Sequence, residues 1–259
     1  MLDQIPGPAI FAHRGASLYA PENTLPAFEL AVRQKADAIE LDTKLTADQH
    51  VVVFHDQTLE RTTGVKGRVI DSKLAELRRL DAGSHFDVAY RGEPIPTLDE
   101  VFDLVGRQIY INIDLTNYAS PTDQLPEKVA ECVTKHGVVD RVLFSSFNPI
   151  ALLRIHHLLP KPPIGLLALQ GNQGALARSW LGTLIRYQTL NPAINDTTKP
   201  LVEKIHRRGC RILVYTVNQP EDMRRLFEMG VDGIFTDDPL TARRILLTGN
   251  EYRLRNKER

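Results

Sequence analysis

The fold is decided by two neighbouring stretches near the start of the chain. The first is FAHRGASLYAPENTLPAFELAV (residues 11–32), and the second is AIELDTKLTADQHVVVFHD (residues 38–56). Each stretch begins with apolar residues on consecutive positions and then passes directly into charged residues. Such runs are typical of strands that are buried on both faces of a parallel sheet.

Similar apolar runs recur along the whole chain, and longer stretches with helix signals separate them. The eight runs lie at residues 9–15, 38–44, 109–115, 142–147, 164–169, 187–192, 211–217 and 233–238. Eight strands that alternate with helices predict a (β/α)8 TIM barrel. A doubly wound open sheet is the alternative, because alternation alone does not show that the sheet closes.

Several helix boundaries are marked by residue type. Thr97 and Glu100 have the spacing of a capping box at the start of a helix. Gly137, Gly209 and Gly230 follow helical stretches, and glycine is common immediately after the end of a helix.

One connection departs from the regular alternation. A second β-run, VVVFHD (51–56), follows the 38–44 run, and residues 57–96 then contain only one modest predicted helix, near SKLAELRRL (72–80). A connection of that length is usually functional or an inserted subdomain. We expect residues 57–96 to cap one mouth of the barrel, within a single domain that spans residues 1–259.

Composition argues against several classes of protein. Lys+Arg and Asp+Glu both number 32, whereas a nucleic-acid-binding protein usually has a basic excess. The 2 cysteines form no disulfide framework and favour a reducing compartment. No apolar run approaches the roughly 18 residues of a membrane-spanning helix. We therefore expect a cytoplasmic protein with a small-molecule substrate, no nucleic-acid partner and no transmembrane segment, and the oligomeric state stays open.

Polar and aromatic residues at the predicted strand ends mark a candidate active site, because the active site of a TIM barrel lies at the carboxyl ends of its strands. These candidates are His13, Arg14, Glu40, Asp42, His55, Asp114, Phe147 and Tyr215. Most of the ionisable groups fall in the first half of the chain.

Glu40 and Asp42 lie two positions apart on one predicted strand, so their side chains point to the same side. Two neighbouring carboxylates repel each other and require a cation or a raised pKa. Because no cysteine and no third histidine lies nearby, the oxygen ligands favour Mg²⁺ or Ca²⁺ over zinc. Acid pairs on strands also serve as salt-bridge partners, which is the structural alternative.

Two histidines beside such a site can divide the acid and base roles at neutral pH. Arg14 offers a planar guanidinium that is suited to a phosphate group. Schiff-base chemistry would need a lysine, and nothing else singles out Lys44, the lysine near a strand end. The residues alone therefore predict a metal-assisted phosphodiesterase.

The ordered motifs His-Arg-Gly, Pro-Glu-Asn-Thr, Glu-x-Asp and His-Asp resemble those of the glycerophosphodiester phosphodiesterases. The segments PTLDEVF, SSFNPIALLRI and VYTVNQPEDMRRLFEMGVDGIFTDDP resemble later parts of the same family, in the same order. The resemblance implies a TIM barrel with a small insertion after the His-Asp motif. It also implies hydrolysis of a glycerophosphodiester to glycerol 3-phosphate and an alcohol, with Mg²⁺ or Ca²⁺.

The resemblance assigns roles to individual residues. It implies that His13 and His55 are the two catalytic histidines and that Arg14 binds the phosphate. It implies that Glu40 and Asp42 are metal ligands.

Six further positions belong to the implied substrate and metal site. Glu22 and Asn23 stand in the Pro-Glu-Asn-Thr motif and would shape the site. The third strand of the family usually ends in Glu-x-Lys, where the Glu is the third metal ligand and the Lys faces the substrate. Here Asp114 and Thr116 stand in those places, so a positive charge would be lost from the phosphate site. Tyr215 replaces a tryptophan of the family and, like Phe147 in the SSFNP segment, would contact the substrate.

Three functions remain open from the sequence. The one favoured by the intact histidine pair is hydrolysis of soluble glycerophosphodiesters such as glycerophosphocholine. The second is lysophospholipase D or phospholipase C-like activity on acylated lipids, including a lysophospholipid substrate, suggested by the altered 114–116 strand and by Phe86, Val88 and Tyr90. The third is binding of a phosphorylated ligand without turnover, suggested by the missing lysine.

Overall fold

Nine strands form one sheet in the computed structural model of the chain, which describes residues 1–5, 7–118 and 120–257. The strands are β1 (Ala9–Ala12), β2 (Ala38–Leu45), β3 (Val51–Val53), β4 (Tyr110–Leu115), β5 (Val142–Ser146), β6 (Ile164–Ala168), β7 (Thr189–Pro192), β8 (Arg211–Val214) and β9 (Gly233–Thr236). Nearly all of their residues are buried, as expected for strands that are covered on both faces.

Eight of these strands pair in parallel and close into a barrel. β1 pairs with β2 on one side and with β9 on the other, and the order β9-β8-β7-β6-β5-β4-β2 completes the ring. These are the eight strands predicted from the sequence. The closed ring confirms the (β/α)8 barrel, and the open doubly wound alternative is wrong.

Helices connect the strands and cover the outside of the barrel. In the described residues the α-helices are α1 (Leu25–Arg33), α2 (Glu60–Thr63), α3 (Leu74–Leu77), α4 (Leu98–Val105), α5 (Leu125–His136), α6 (Pro149–Leu158), α7 (Ala175–Arg178), α8 (Lys199–His206), α9 (Pro220–Met229) and α10 (Pro239–Lys257). The capping box of α4 is confirmed, because Thr97 and Glu100 exchange side-chain-to-backbone hydrogen bonds. Gly137 and Gly230 cap α5 and α9 in the left-handed conformation, whereas α8 ends at His206, before Gly209. Within the part of the chain described, no helix combines the length and apolarity needed to cross a membrane.

Residues 57–96 hold two short helices, α2 and α3, where the sequence predicted a single longer one. Apolar side chains of this segment pack with β3 in a small cluster that includes Phe54, Val69 and Leu77. Arg78 donates two hydrogen bonds to the Glu100 carboxylate on α4, at 2.7 and 3.0 Å. We propose that the segment folds as part of the barrel's domain, because its cluster includes a strand of the main sheet.

Gly15 sets the turn that follows β1. Its φ is +84°, and a Cβ atom placed there would lie 2.7 Å from the carbonyl carbon and the Cβ atom of Ala27 in α1. The turn therefore needs both the left-handed backbone and the missing side chain. It packs directly against α1 and fixes the two residues before it, His13 and Arg14, at the barrel mouth.

We expect Gly15→Ala to lower the free energy of unfolding by about 2–4 kcal/mol. Alanine is strained at a left-handed φ, and its Cβ atom would also overlap Ala27. The matched control is Gly64→Ala, where φ is +71° but no atom lies within 4 Å of the added Cβ. The control should lose only about 1 kcal/mol. Denaturant unfolding of both variants measures the difference, and equal losses would show that the contact with Ala27 is unimportant.

Candidate active site

Three carboxylates meet at the carboxyl ends of β2 and β4. Glu40 and Asp42 project from the same face of β2, and Asp114 on β4 pairs in register with Asp42. One oxygen of each residue lies within 4.8 Å of the others, and all three side chains are buried. The structure thus brings together the three acidic residues that the sequence singled out.

The electrostatics of this acidic cluster favour a cation. Burial and repulsion by Asp42 and Asp114 raise the pKa of Glu40 well above its usual value, and burial and Asp42 do the same to the pKa of Asp114. The Tyr118 hydroxyl donates to one oxygen of Asp114 at 3.1 Å. Among the described residues, the other buried oxygen of Asp114 has no hydrogen-bond partner. An all-oxygen donor set with an orphaned acceptor fits Mg²⁺ or Ca²⁺.

Arg14 lies against this acidic cluster. Its backbone N–H donates to Glu40 Oε2 at 2.9 Å, and its side chain donates to Glu22 Oε1 at 3.0 Å. Its Nε lies 3.4 Å from Asp42 Oδ2. Burial opposes the charge on Arg14, but the three carboxylates together raise its pKa. Arg14 therefore compensates the acidic cluster and presents a fixed positive charge to the cavity.

Glu22 and Asn23 lie behind the residues that line the central cavity. Asn23 donates to Asp42 Oδ2 at 2.8 Å and accepts a hydrogen bond from the Asp42 backbone. Glu22 accepts hydrogen bonds from Arg14 and from Arg61. Both residues hold the side chains of the site in position, and neither is part of the wall of the central cavity.

His13 and His55 reach the cavity by different routes. His13 directly follows β1 at the carboxyl end of the barrel, as the sequence predicted. β3 runs antiparallel to β2, so the chain turns back and Phe54 N–H donates to the Asp42 carbonyl at 2.9 Å. The return of this hairpin, rather than the end of a barrel strand, brings His55 beside Asp42.

Each histidine is oriented by a carboxylate. His13 Nδ1 lies 2.7 Å from Asp237 Oδ1, and His55 Nδ1 lies 2.6 Å from Asp56 Oδ1. In a neutral ring this partner keeps the proton on Nδ1 and leaves Nε2 as an acceptor. In the described part of the chain neither Nε2 has a hydrogen-bond partner, and both rings line the cavity.

Arg61 links His55 to Arg14 and is a residue that the sequence analysis missed. Its Nε donates to Asp56 at 2.6 Å, and its two terminal nitrogens donate to both oxygens of Glu22 at 2.7 and 2.8 Å. Arg61 lies in α2, within the 57–96 segment. No spacing rule connects residues 22 and 61, so only the folded chain shows the pairing.

The site contains two adjoining cavities. The central cavity, of about 190 Å³, is lined by His13, Arg14, Glu40, Asp42, His55, Asp114, Phe147 and Tyr215, among others. The second, of about 390 Å³, shares Asp42, His55, Asp114 and Phe147 with it and adds Lys44, Thr116 and Tyr118. The rings of Tyr118, Phe147 and Tyr215 pack edge to face along this wall.

Lys44 supplies a positive charge at Thr116. Its Nζ donates to Thr116 Oγ1 at 2.9 Å, and its side chain is buried with no carboxylate in salt-bridge contact among the described residues. The resemblance implied that the phosphate site loses a positive charge because Thr116 replaces a lysine. The neighbouring strand β2, however, places the Lys44 side chain at Thr116. The signal in the sequence is the two-residue spacing that places Lys44 on the same face as Glu40 and Asp42.

The apolar residues noted in the 57–96 segment lie apart from these cavities. Phe86 and Val88 are exposed, and the Tyr90 hydroxyl donates to the Tyr19 carbonyl. None of the three lines either cavity. They give no support to binding of an acyl chain at the site.

The ionised Glu22 carboxylate stabilises the folded protein at neutral pH, and this stabilisation is lost in acid. Burial tends to raise its pKa, but hydrogen bonds from Arg61 and the charge of Arg14 lower that pKa from 4.5 to about 2. A lowered folded pKa stabilises the protein above the unfolded pKa, and this contribution is lost as the pH falls from 4.5 towards 2.

We expect Glu22→Gln to lower the free energy of unfolding at pH 7 by about 1–2 kcal/mol, since hydrogen bonds to a charged group are lost. The deficit relative to wild type should shrink as the pH falls through this range. Chemical unfolding between pH 7 and 2 tests this, with the exposed Glu221→Gln as the control. A deficit that is independent of pH would refute the ionic explanation.

Comparison with known proteins agrees with this geometry. Residues 13–241 match the model of the glycerophosphoryl diester phosphodiesterase family. A glycerophosphodiester phosphodiesterase from Caldanaerobacter subterraneus is 38% identical over 93% of this chain and 98% of its own length. Another, from Bacillus subtilis, is 35% identical over 88% of this chain and 83% of its own length.

A solved structure is also similar. It is a phosphodiesterase from Oleispira antarctica in complex with the product sn-glycerol 3-phosphate. That protein superposes with a TM-score of 0.84 at 30% identity, over 92% of this chain and 96% of its own. Together these matches confirm the resemblance seen in the sequence motifs. The chain is an enzyme that belongs to the glycerophosphoryl diester phosphodiesterase family.

Proposed function

We propose that the protein hydrolyses glycerophosphodiesters to sn-glycerol 3-phosphate and an alcohol. The observation that carries the proposal is the placement of two carboxylate-oriented histidines and a buried acidic cluster around one cavity. The similar enzyme from Oleispira antarctica binds sn-glycerol 3-phosphate, which supports a substrate of this size. Glycerophosphocholine is the simplest substrate with which to begin.

Glu40, Asp42 and Asp114 are the residues that would hold a divalent cation, Mg²⁺ or Ca²⁺. When bound, such an ion supplies positive charge that offsets the phosphate oxygens in the transition state. Asn23 fixes the Asp42 carboxylate, and the Arg14 backbone fixes Glu40, so two of the ligands are already oriented.

His13 and His55 would act as the acid–base pair. The Nε2 of one accepts the proton of the attacking hydroxyl, from water or from the glycerol 2-hydroxyl, and the other protonates the departing alcohol oxygen. Asp237 and Asp56 hold the two rings in the tautomer that this requires. Arg14 and Lys44 then lie on two sides of the acidic cluster, where each can attract a phosphate oxygen.

A lysophospholipid is the second candidate substrate. It presents the same phosphodiester with one acyl chain attached to the glycerol. The observation that favours it is a group of exposed apolar side chains in the segment after β6. This segment is close in the sequence to Leu167, the β6 residue that lines the central cavity.

The cysteines support a reducing, cytoplasmic location. Cys132 and Cys210 are both free rather than joined in a disulfide. Burial raises the pKa of the Cys132 thiol to about 11, so it is protonated and unreactive at neutral pH.

We expect His13→Ala and His55→Ala each to lower kcat about 10²–10⁴-fold, the usual contribution of a general acid or base. Release of sn-glycerol 3-phosphate from glycerophosphocholine measures the rate, with EDTA, Mg²⁺ and Ca²⁺ compared in parallel. His157→Ala, at an exposed position in α6, should behave as wild type. Turnover that persists in EDTA would remove the cation from the proposal, and full activity of both variants would remove the acid–base pair.

We expect Lys44→Met to lower kcat/KM for glycerophosphocholine about 10²–10³-fold, the effect of losing one charge-stabilising group. Methionine keeps most of the buried length of the side chain, so the fold should be retained. Lys161→Met, which removes an exposed lysine, is the control. Unchanged kcat/KM in a folded Lys44→Met protein would show that the lysine only packs against Thr116.

A further inference from the structure

An apolar groove runs along the segment between β6 and β7 (residues 169–188). This β6–β7 groove has a volume of about 330 Å³, and its apolar lining includes Phe147, Leu167, Leu169, Leu176, Leu181 and Ile185. Gln173 is the one polar side chain in the lining, and no charged residue contributes to it. With one amide and no charge, such a surface suits a hydrocarbon chain better than a charged or hydroxylated head group.

The groove adjoins the catalytic cavity. Phe147 and Leu167 line both. The wall between them is fixed, because the Tyr215 hydroxyl donates to the Ala168 carbonyl at 2.8 Å and the Tyr215 ring packs edge-on against Phe147. The two spaces thus meet at Phe147 and Leu167, the point at which a molecule with its phosphate at the acidic cluster would enter the groove.

The segment that forms the groove also carries large apolar side chains that are exposed. Leu176 and Leu184 are 66% and 67% exposed, and Trp180 is 66% exposed. Single exposed leucines are common, but a contiguous group beside a cavity indicates a binding surface. Binding of an aliphatic ligand would bury these side chains and remove their contact with water.

The segment that forms the groove is held in place by Arg178. Its side chain donates to the carbonyls of Leu169 and Gly171, and its guanidinium lies 3.1 Å from Asp196 Oδ2. The groove is thus present before a ligand binds, and the arginine that shapes it is satisfied by these partners rather than directed at the ligand.

We propose that the β6–β7 groove binds the single acyl chain of a lysophospholipid while its phosphodiester occupies the catalytic cavity. This inference rests on the proposed phosphodiesterase function and names its substrate class. The reaction is unchanged: water adds across the phosphorus–oxygen bond, the alcohol leaves with the proton, and an acylated glycerol phosphate remains. A volume near the lower end of the roughly 300–1,000 Å³ of ligand pockets suits one chain rather than two.

The kinetic test is a chain-length series below the micellar concentration. Choline release is measured from glycerophosphocholine and from its 1-hexanoyl, 1-octanoyl and 1-decanoyl derivatives. Burial of each methylene should raise kcat/KM about fourfold until the groove is filled. In Leu176→Asp and Leu181→Asp the ratio of kcat/KM for the decanoyl substrate to that for glycerophosphocholine should fall at least about tenfold. Leu247→Asp, an exposed leucine in α10 outside the groove, should keep the wild-type ratio.

A binding test needs no turnover. The chain has 1 tryptophan, Trp180, which stands between the groove residues Ala177 and Leu181. Decylphosphocholine should shift its emission to shorter wavelength in a saturable manner, and glycerophosphocholine should not. The same titration of Leu176→Asp should require at least about tenfold more ligand.

The outcomes separate the two proposals. Turnover of glycerophosphocholine with no dependence on chain length overturns the groove assignment and leaves the phosphodiesterase function standing. A saturable Trp180 shift without hydrolysis of any phosphodiester supports the groove and overturns the function. If wild type is a dimer that Leu176→Asp converts to a monomer with an unchanged substrate ratio, a second copy of the chain covers the groove and the acyl assignment is wrong.

Discussion

Mutual repulsion among three buried carboxylates governs the arrangement of this barrel's mouth. Two unit charges separated as far as the oxygens of Glu40, Asp42 and Asp114 repel by about 3–4 kcal/mol at an effective dielectric constant of 20. Four residues reduce this cost. They are Arg14 and Asn23 in the β1–α1 loop, Lys44 near the end of β2, and Tyr118 after β4. The cluster is thus only partly compensated by the protein, which leaves a strong preference for a bound cation.

The two histidines have similar geometry but different electrostatic surroundings. The carboxylate that orients His13 is held by neutral groups, the Asn218 amide and the Ser17 hydroxyl. The carboxylate that orients His55 is held by the Arg61 guanidinium. The pKa values of both carboxylates are lowered, so both keep their charge. The carboxylate beside His55 is already paired with a cation, whereas the one beside His13 is not. A difference of this kind is what two chemically distinct roles require.

Local rules in the sequence predict most of the barrel and part of the site. The period-two spacing of Glu40 and Asp42 and the polar residue at the end of each apolar run depend only on strand geometry. These rules therefore identify His13 and Asp114 as well. His55 was found at the end of the second β-run, VVVFHD (51–56), but that run is the antiparallel strand of a hairpin and not a strand of the barrel. Arg61 could not be found at all, because its partners lie 5 and 39 positions away on elements that only the closed barrel brings together.

The Arg61 contacts also limit which segments could be exchanged between related enzymes by recombination. The 57–96 segment packs in an apolar cluster that is separate from the main core and shared only with residues 52 and 54, so it resembles a module that could be replaced by the corresponding segment of a relative. Its guanidinium, however, is the partner of Glu22 in the barrel and of the aspartate beside His55. A chimaera whose incoming segment lacks a cation at this point would leave two carboxylates uncompensated. Recombination at the ends of the 57–96 segment is therefore restricted by charge rather than by shape, and residues 22 and 61 must be inherited together.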